Sequence, residues 1–234
     1  MENVFPDINS NAAGIFMTNS FDMTESPYCS NSEGCAMYLA IGRLNHSCEP
    51  NVLQTHLPDT MEEALYASRR ILKGDEINDC YIDLRQSVQE RRSILKELFR
   101  FDCMCMSCNS SEDVIVREDR ERKKAFQLDE IELIAAAEID PHCALSIANE
   151  LLCLLESEDC KKWSIRYIPH THFSLYQLHE VIGNRLFAKL HLEKSNELHV
   201  LLSGERSAAS RRTATLLSAI PVSSRRKKKG SVDT

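Results

Sequence analysis

The sequence predicts an α+β fold. A β-rich part over residues 1–85 is followed by a junction over 86–115, an α-helical region over 116–203 and a basic, disordered tail over 204–234. Three observations carry this. Short apolar runs broken by Asn, Ser, Gly and Pro fill the first part. From Ser87 onward apolar residues recur at helical spacing. Beyond Gly204 the chain is poor in large apolar residues and rich in Lys and Arg. The 234 residues suit one full domain or one and a half compact ones.

The elements follow in order. Residues 1–40 show no sustained period; Gly14-Ile15-Phe16-Met17 and Ala36-Met37-Tyr38-Leu39 suggest short strands among loops, and 25–34 reads as a surface loop. Val52 to Leu57 and Leu65 to Ile71 read as paired strands flanking a loop with Pro58-Asp59. Lys73-Gly74-Asp75-Glu76 is a turn before a short run from Ile77 to Ile82. Ser87-x-x-Glu90 is a capping box ahead of Ile94, Leu95, Leu98 and Phe99 on one helical face. A charged segment from Val116 to Lys124 leads into Phe126, Leu128, Ile131, Ile134, Ala135 and Ile139. Asp140-Pro141 ends that helix and starts another, Asp as N-cap and Pro in the first turn, with Leu145, Ala148, Leu151, Leu152 and Leu155 on its apolar face. A further helix spans Phe173 to Leu190 through Leu175, Leu178, Ile182 and Leu186. Periodicity alone identifies no repeat array.

Composition narrows the function. No apolar run reaches the ~18 residues of a membrane span, and the start lacks the basic flank and apolar stretch of a secretory signal. The ten cysteines therefore read as intracellular thiols. Residues 1–205 carry 20 Lys and Arg against 34 Asp and Glu, whereas 206–234 carry 8 against 1. The acidic body disfavours binding to a nucleic-acid backbone. Arg225-Arg226-Lys227-Lys228-Lys229 reads equally as a nuclear-import signal or a solvated tail.

Three segments carry chemistry. Cys103-x-Cys105-x-x-Cys108 brings three thiols within six residues, which suits a tetrahedral zinc once a fourth ligand is found. Cys48, Cys80, His46 and another chain are the candidates. Asn45-His46-Ser47-Cys48-Glu49-Pro50-Asn51 reads by itself as a polar turn closed by Pro50. Tyr81, by itself, reads as a half-buried strand residue. His170, His172 and His179 read as surface or packing residues, and Cys143, Cys153 and Cys160 as thiols of a helical core.

Together these segments resemble the catalytic half of a SET-domain lysine methyltransferase, more narrowly its SET-and-MYND (SMYD) branch. The motifs are the Asn45–Asn51 run, Gly74-Asp75-Glu76-Ile77 with Tyr81, and the cysteine cluster. Tyr81-Ile82-Asp83-Leu84, Glu90-Arg91-Arg92, Leu95 and Phe99-Arg100-Phe101-Asp102-Cys103 also sit where that branch has similar residues, as do Asn19-Ser20-Phe21 and Tyr38. The resemblance covers about residues 13–110. It implies a SET-type fold, incomplete at its N-terminus, with a zinc-bound post-SET loop, and a tetratricopeptide-like region would suit 116–203. It also implies S-adenosylmethionine as cofactor, a protein substrate with a target lysine, structural zinc, and residence in cytoplasm and nucleus.

Residue by residue, the resemblance implies that Asn45 and His46 touch the cofactor near a knot-like crossing. Phe101 packs on its adenine, and Tyr81 is the catalytic tyrosine, also beside the cofactor. Phe21 and Phe99 line the lysine channel, Phe99 standing where the family often has Tyr. Cys48 completes the zinc site with Cys103, Cys105 and Cys108. No two of the seven glycines form the family's Gly-x-Gly, no Cys/His cluster of a MYND module precedes Asn45, and the resemblance begins inside the family's domain. A second reading is a non-catalytic, zinc-stabilised interaction module whose helices bind partner peptides.

Overall fold

The computed structural model describes residues 12–22 and 34–220. Most of the loop expected over 25–34, and the basic run Arg225 to Lys229, lie outside the described residues.

Helix α1 (Ala12–Asn19) leads into β1 (Ser20–Asp22), which pairs antiparallel with β2 (Cys35–Met37). The helix replaces the strand-and-loop content expected there. A 3₁₀ turn (Ile41–Arg43) then delivers the chain to β3 (Asn45–His46). Strands β4 (Val52–Leu57) and β5 (Glu62–Ala67) form an antiparallel hairpin, Val52 opposite Ala67 and Leu57 opposite Glu62. The second strand lies nearer the first than expected, because the Pro58–Met61 turn is tight, with the Thr60 amide donating to Leu57 O at 3.2 Å. Strand β6 (Asn78–Asp79) runs parallel to β3.

Helix α2 (Val88–Phe99) begins at the capping box: Ser87 Oγ accepts from the Glu90 amide, and Glu90 accepts from the Ser87 amide at 2.8 Å. It ends at Arg100 in the left-handed region. Helix α3 (Glu112–Phe126) continues through a π-type stretch (Gln127–Leu133) into α4 (Ile134–Ile139). The wider turn shifts the apolar stripe. Leu128 and Leu133 are buried, whereas Phe126, Ile131, Ile134 and Ile139, expected on the inner face, are exposed. Asp140 caps α5 (Pro141–Leu155) as expected, accepting from the His142 amide at 2.9 Å. Ala144, Ala148, Leu151, Leu152 and Leu155 form its buried face. Cys143 and Cys153 lie off that stripe and are exposed, so of the three thiols assigned to a helical core only Cys160 is buried.

The single helix expected from 173 to 190 is two. Short α6 (Lys161–Ser164) precedes α7 (Ile168–Val181), and Gly183 at φ 78° breaks the chain before α8 (Arg185–Ser203). The last helix, α9 (Ala208–Ala219), is capped by Ser207, whose Oγ accepts from the Ser210 amide at 3.1 Å. The expected disordered tail therefore does not begin at 204: the cap and the buried Ser210 and Thr213 hold that stretch in the fold.

Helices α5, α7, α8 and α9 pack in succession, and α8 also rests on the β4–β5 hairpin. One buried cluster joins the two parts of the chain. It runs from Cys48, Leu84, Leu95, Cys103 and Cys108 through Ala125 and Leu128 to Leu151, Trp163 and Leu175. No helix among the described residues is long and apolar enough to cross a membrane.

Candidate active site and metal centre

The short parallel bridge between β3 and β6 makes the site. It places Asn45 beside Asn78 and His46 beside Asp79. The Ser47 amide donates to Asp79 O at 2.8 Å, and the Asn51 amide to Asn78 O at 3.1 Å. Side chains lock the crossing. Asn51 Nδ2 donates to Glu76 O at 2.8 Å while its Oδ1 accepts from the Asn78 amide at 2.9 Å. Exposed Asn45 donates to Glu76 Oε1 at 2.6 Å. The two segments, thirty-odd residues apart in the chain, thus become one wall.

Tyr81 leaves this wall two residues beyond β6. Its amide donates to His46 Nδ1 at 3.0 Å, and its hydroxyl donates to Leu44 O. The rings gather here: Tyr81 lies 4.9 Å from Phe99, 5.3 Å from His46 and, edge-on, 6.4 Å from Phe101. Phe101 is also 6.2 Å from His46. Phe21 packs instead on Tyr38, 6.2 Å away, beside Gly42. The structure therefore brings together Asn45, His46, Tyr81, Phe99 and Phe101, and sets Phe21 apart, on β1 of the separate β1–β2 pair.

Burial fixes protonation. His46 is pushed down to about 4, chiefly by desolvation, and is neutral near neutral pH. Since Nδ1 accepts from Tyr81, the ring proton sits on Nε2, 3.3 Å from Cys48 Sγ. Burial, with the Asp79 charge adding to it, raises the Tyr81 hydroxyl, which stays protonated. Asp79 is itself raised to about 6 by burial, against the opposing Cys80 amide and Arg166 guanidinium.

Cys48, Cys103, Cys105 and Cys108 have their sulfur atoms all within 4.8 Å of one another. Three are buried and Cys105 is half-buried. Four soft donors at that spacing fit a closed tetrahedral zinc site. Of the fourth-ligand candidates, Cys48 has its sulfur among the other three. Cys80 lies elsewhere, with Arg166 donating to its sulfur.

The surrounding shell was not legible as a site in the sequence. Arg91, buried, donates from Nε to Cys48 Sγ at 3.3 Å, and exposed Arg92 donates to Cys108 O at 2.6 Å. From α3, Glu118 accepts from Ser107 Oγ at 2.8 Å, and Arg122 reaches the same hydroxyl at 3.2 Å. The signal available was Glu118, Arg122 and Ala125 at i, i+4 and i+7 within the charged segment: one helical stripe, two of its members charged.

Comparison with known proteins gives this arrangement its family context. Residues 4–82 match the SET domain. The match ends just past Tyr81, so the SET segment carries the crossing and the tyrosine, while the cysteine loop and helices follow it. Among curated proteins, the histone-lysine N-methyltransferase set5 of Schizosaccharomyces pombe is 33% identical over 156 residues, 67% of this chain and 47% of that protein. The mouse histone-lysine N-methyltransferase SMYD3 is 34% identical over 80 residues, 34% of this chain and 18% of its own length. Zebrafish N-lysine methyltransferase SMYD2-B is 37% identical over 90 residues, 38% of this chain and 20% of its own. The SMYD similarity is thus partial, and the chain spans less than half the length of each of these relatives.

Proposed function

We propose that the chain is an S-adenosylmethionine-dependent protein-lysine N-methyltransferase of SET type, related to the SMYD branch. The observation that carries the reading is the Tyr81 hydroxyl, anchored on Leu44 O and walled by His46, Phe99 and Phe101 at the β3–β6 crossing. The residues suit the cofactor chemically. Exposed Asn45 offers an amide, and half-buried Phe101 offers an aromatic face for a nucleobase. When bound, S-adenosylmethionine supplies a methyl group on a sulfonium, open to in-line attack by an amine.

The chain's own residues do the rest. Asn45, His46 and Phe101 would hold the cofactor. Phe99 and Phe21 would line the channel and keep water from the arriving side chain. A free lysine titrates at about 10.4, and an apolar channel disfavours its ammonium, so the amine sheds its proton to solvent on entry. The Tyr81 hydroxyl and Leu44 O then orient the nitrogen lone pair. The zinc site would be structural: the Cys48 clasp fixes the C-terminal end of α2, with Phe99, and the following segment, with Phe101, against the crossing. The helical region helps select the protein substrate, and the activity operates in nucleus and cytoplasm.

Calorimetric titration of zinc-loaded protein with S-adenosylhomocysteine tests the cofactor site; micromolar binding is expected. Tyr81→Phe retains that binding and loses turnover about 100-fold, the scale of a mispositioned reacting group. A well-folded chain that binds no S-adenosylhomocysteine refutes the enzyme and leaves a SET-derived interaction module.

A further inference from the structure

Arg122 is fully buried, although it stands in a segment of α3 that is otherwise mostly solvated. Its Nη1 donates to Leu84 O at 2.6 Å, its guanidinium lies 4.7 Å from the Trp163 ring, and its Nε has no hydrogen-bond partner among the described residues. Its Nη2 faces the cysteine loop, at 3.2 Å from Ser107 Oγ, 3.4 Å from Glu118 Oε2 and 3.5 Å from Cys48 O. Ser107 lies between Cys105 and Cys108, and Arg91 Nη2 also donates to its Oγ, at 3.4 Å. Two buried guanidiniums therefore converge on Cys48 and Ser107.

Burying a guanidinium is costly unless an opposite charge compensates it. Glu118 supplies one such charge within hydrogen-bond distance; Asp119 stays 3.8 Å from Arg91 and is already bonded to the Val88 amide. Four thiolates around a divalent zinc leave two further formal negative charges on the side these cations face.

We propose that Arg122 is a positioning residue that couples the metal centre to the helical region. It grips the cysteine loop through Ser107 and Cys48 O and is itself held by Trp163. This rests on the reading of Cys48, Cys103, Cys105 and Cys108 as a zinc site. Metal loading and the ordering of the neighbouring helices become one event, and the coupling is reciprocal: what zinc does for the helices, they do for zinc.

The chain has a single tryptophan, and it is the one stacked on Arg122, so its emission reports the coupling directly. Wild-type protein as purified is assayed for zinc, then stripped with a chelator while Trp163 emission and hydrogen exchange in α5 and α7 are followed. We expect red-shifted emission and faster exchange as zinc leaves. Arg122→Met and the milder Ser107→Ala are compared for zinc release to a chromogenic chelator, with about 10-fold or faster release expected for Arg122→Met. Zinc that leaves the wild type without changing emission or exchange overturns the proposal, and that arm decides even if Arg122→Met does not fold. Purified wild type with well under one zinc per chain overturns the metal reading itself, a distinguishable failure.

Discussion

Replacing Gly204 by alanine probes the seam between the helices and the hairpin without touching the proposed site. Gly204 closes α8 at φ 77° and ψ 161°, a backbone region that only glycine occupies easily. A Cβ there would meet Tyr66 Cε1 of β5 at 2.8 Å, with Cζ and Oη closer still. Backbone strain costs about 1–3 kcal/mol. Swinging the half-buried Tyr66 ring aside costs about 1 kcal/mol more in lost packing. Nearby, Arg206 donates to Thr60 Oγ1 at 2.8 Å and Arg211 pairs with Asp59 at 2.7 Å, so the chain has little freedom to retreat. A total of about 2–4 kcal/mol corresponds, for a chain of this size, to a Tm lower by roughly 5–15 °C. Thermal unfolding of Gly204→Ala, Tyr66→Ala and the double variant measures both parts, since the double variant recovers the steric share but not the backbone share. Strict additivity refutes the steric argument, and a single-variant Tm within about 1 °C of wild type refutes the reasoning altogether.

Other perturbations follow the same logic. Asn51→Ala removes two hydrogen bonds at the crossing and is expected to cost about 2–3 kcal/mol, read by urea unfolding, with faster exchange of the Asn78 amide. Ser87→Ala deletes the capping box and should cost about 1 kcal/mol, with early fraying of α2 by hydrogen exchange; unchanged protection there counts against the cap. Cys105→Ser is expected to purify with less zinc and a lower melting temperature, and a full zinc complement counts against its place in the site. His172 is held down to about 4 by burial first, then by His191 and Lys194. Its ordinary value is 6.5. The unfolded chain therefore takes up the extra proton first, and this group's contribution to stability is lost as pH falls from about 6.5 towards about 4. His172→Gln should flatten that dependence, and an unchanged slope counts against it.

Motifs with local physics were legible in the sequence. The Ser87 box and the Asp140-Pro141 stop and start fall where their hydrogen bonds require, and the clustered thiols announced three of the four cysteines that converge. What the sequence hid depends on packing between distant segments. A π-type stretch moved the α3–α4 stripe by a fraction of a turn, so that Ile131 and Ile134 face outward. The break at Gly183 was masked by apolar residues on both sides that keep one helical period. The choice of Cys48 over Cys80 needed a spatial partner: Arg166, 86 residues from Cys80, occupies that thiol. Arg122 was hidden among charges, because burial of a charged side chain is decided by what folds over it.

The clasp also sets a timetable for synthesis. Cys48 and Cys108 are separated by 60 residues, and Tyr81 must wait 35 residues behind His46. At ordinary elongation rates of about 5–20 residues per second, Cys48 emerges roughly 3–12 s before its last sulfur partner. During that interval the thiol has no native shelter, and the loop it will close grows entropically dearer with each residue added. The nascent chain cannot settle its crossing piecemeal, and an oxidant that reaches Cys48 in those seconds removes the keystone before the arch exists.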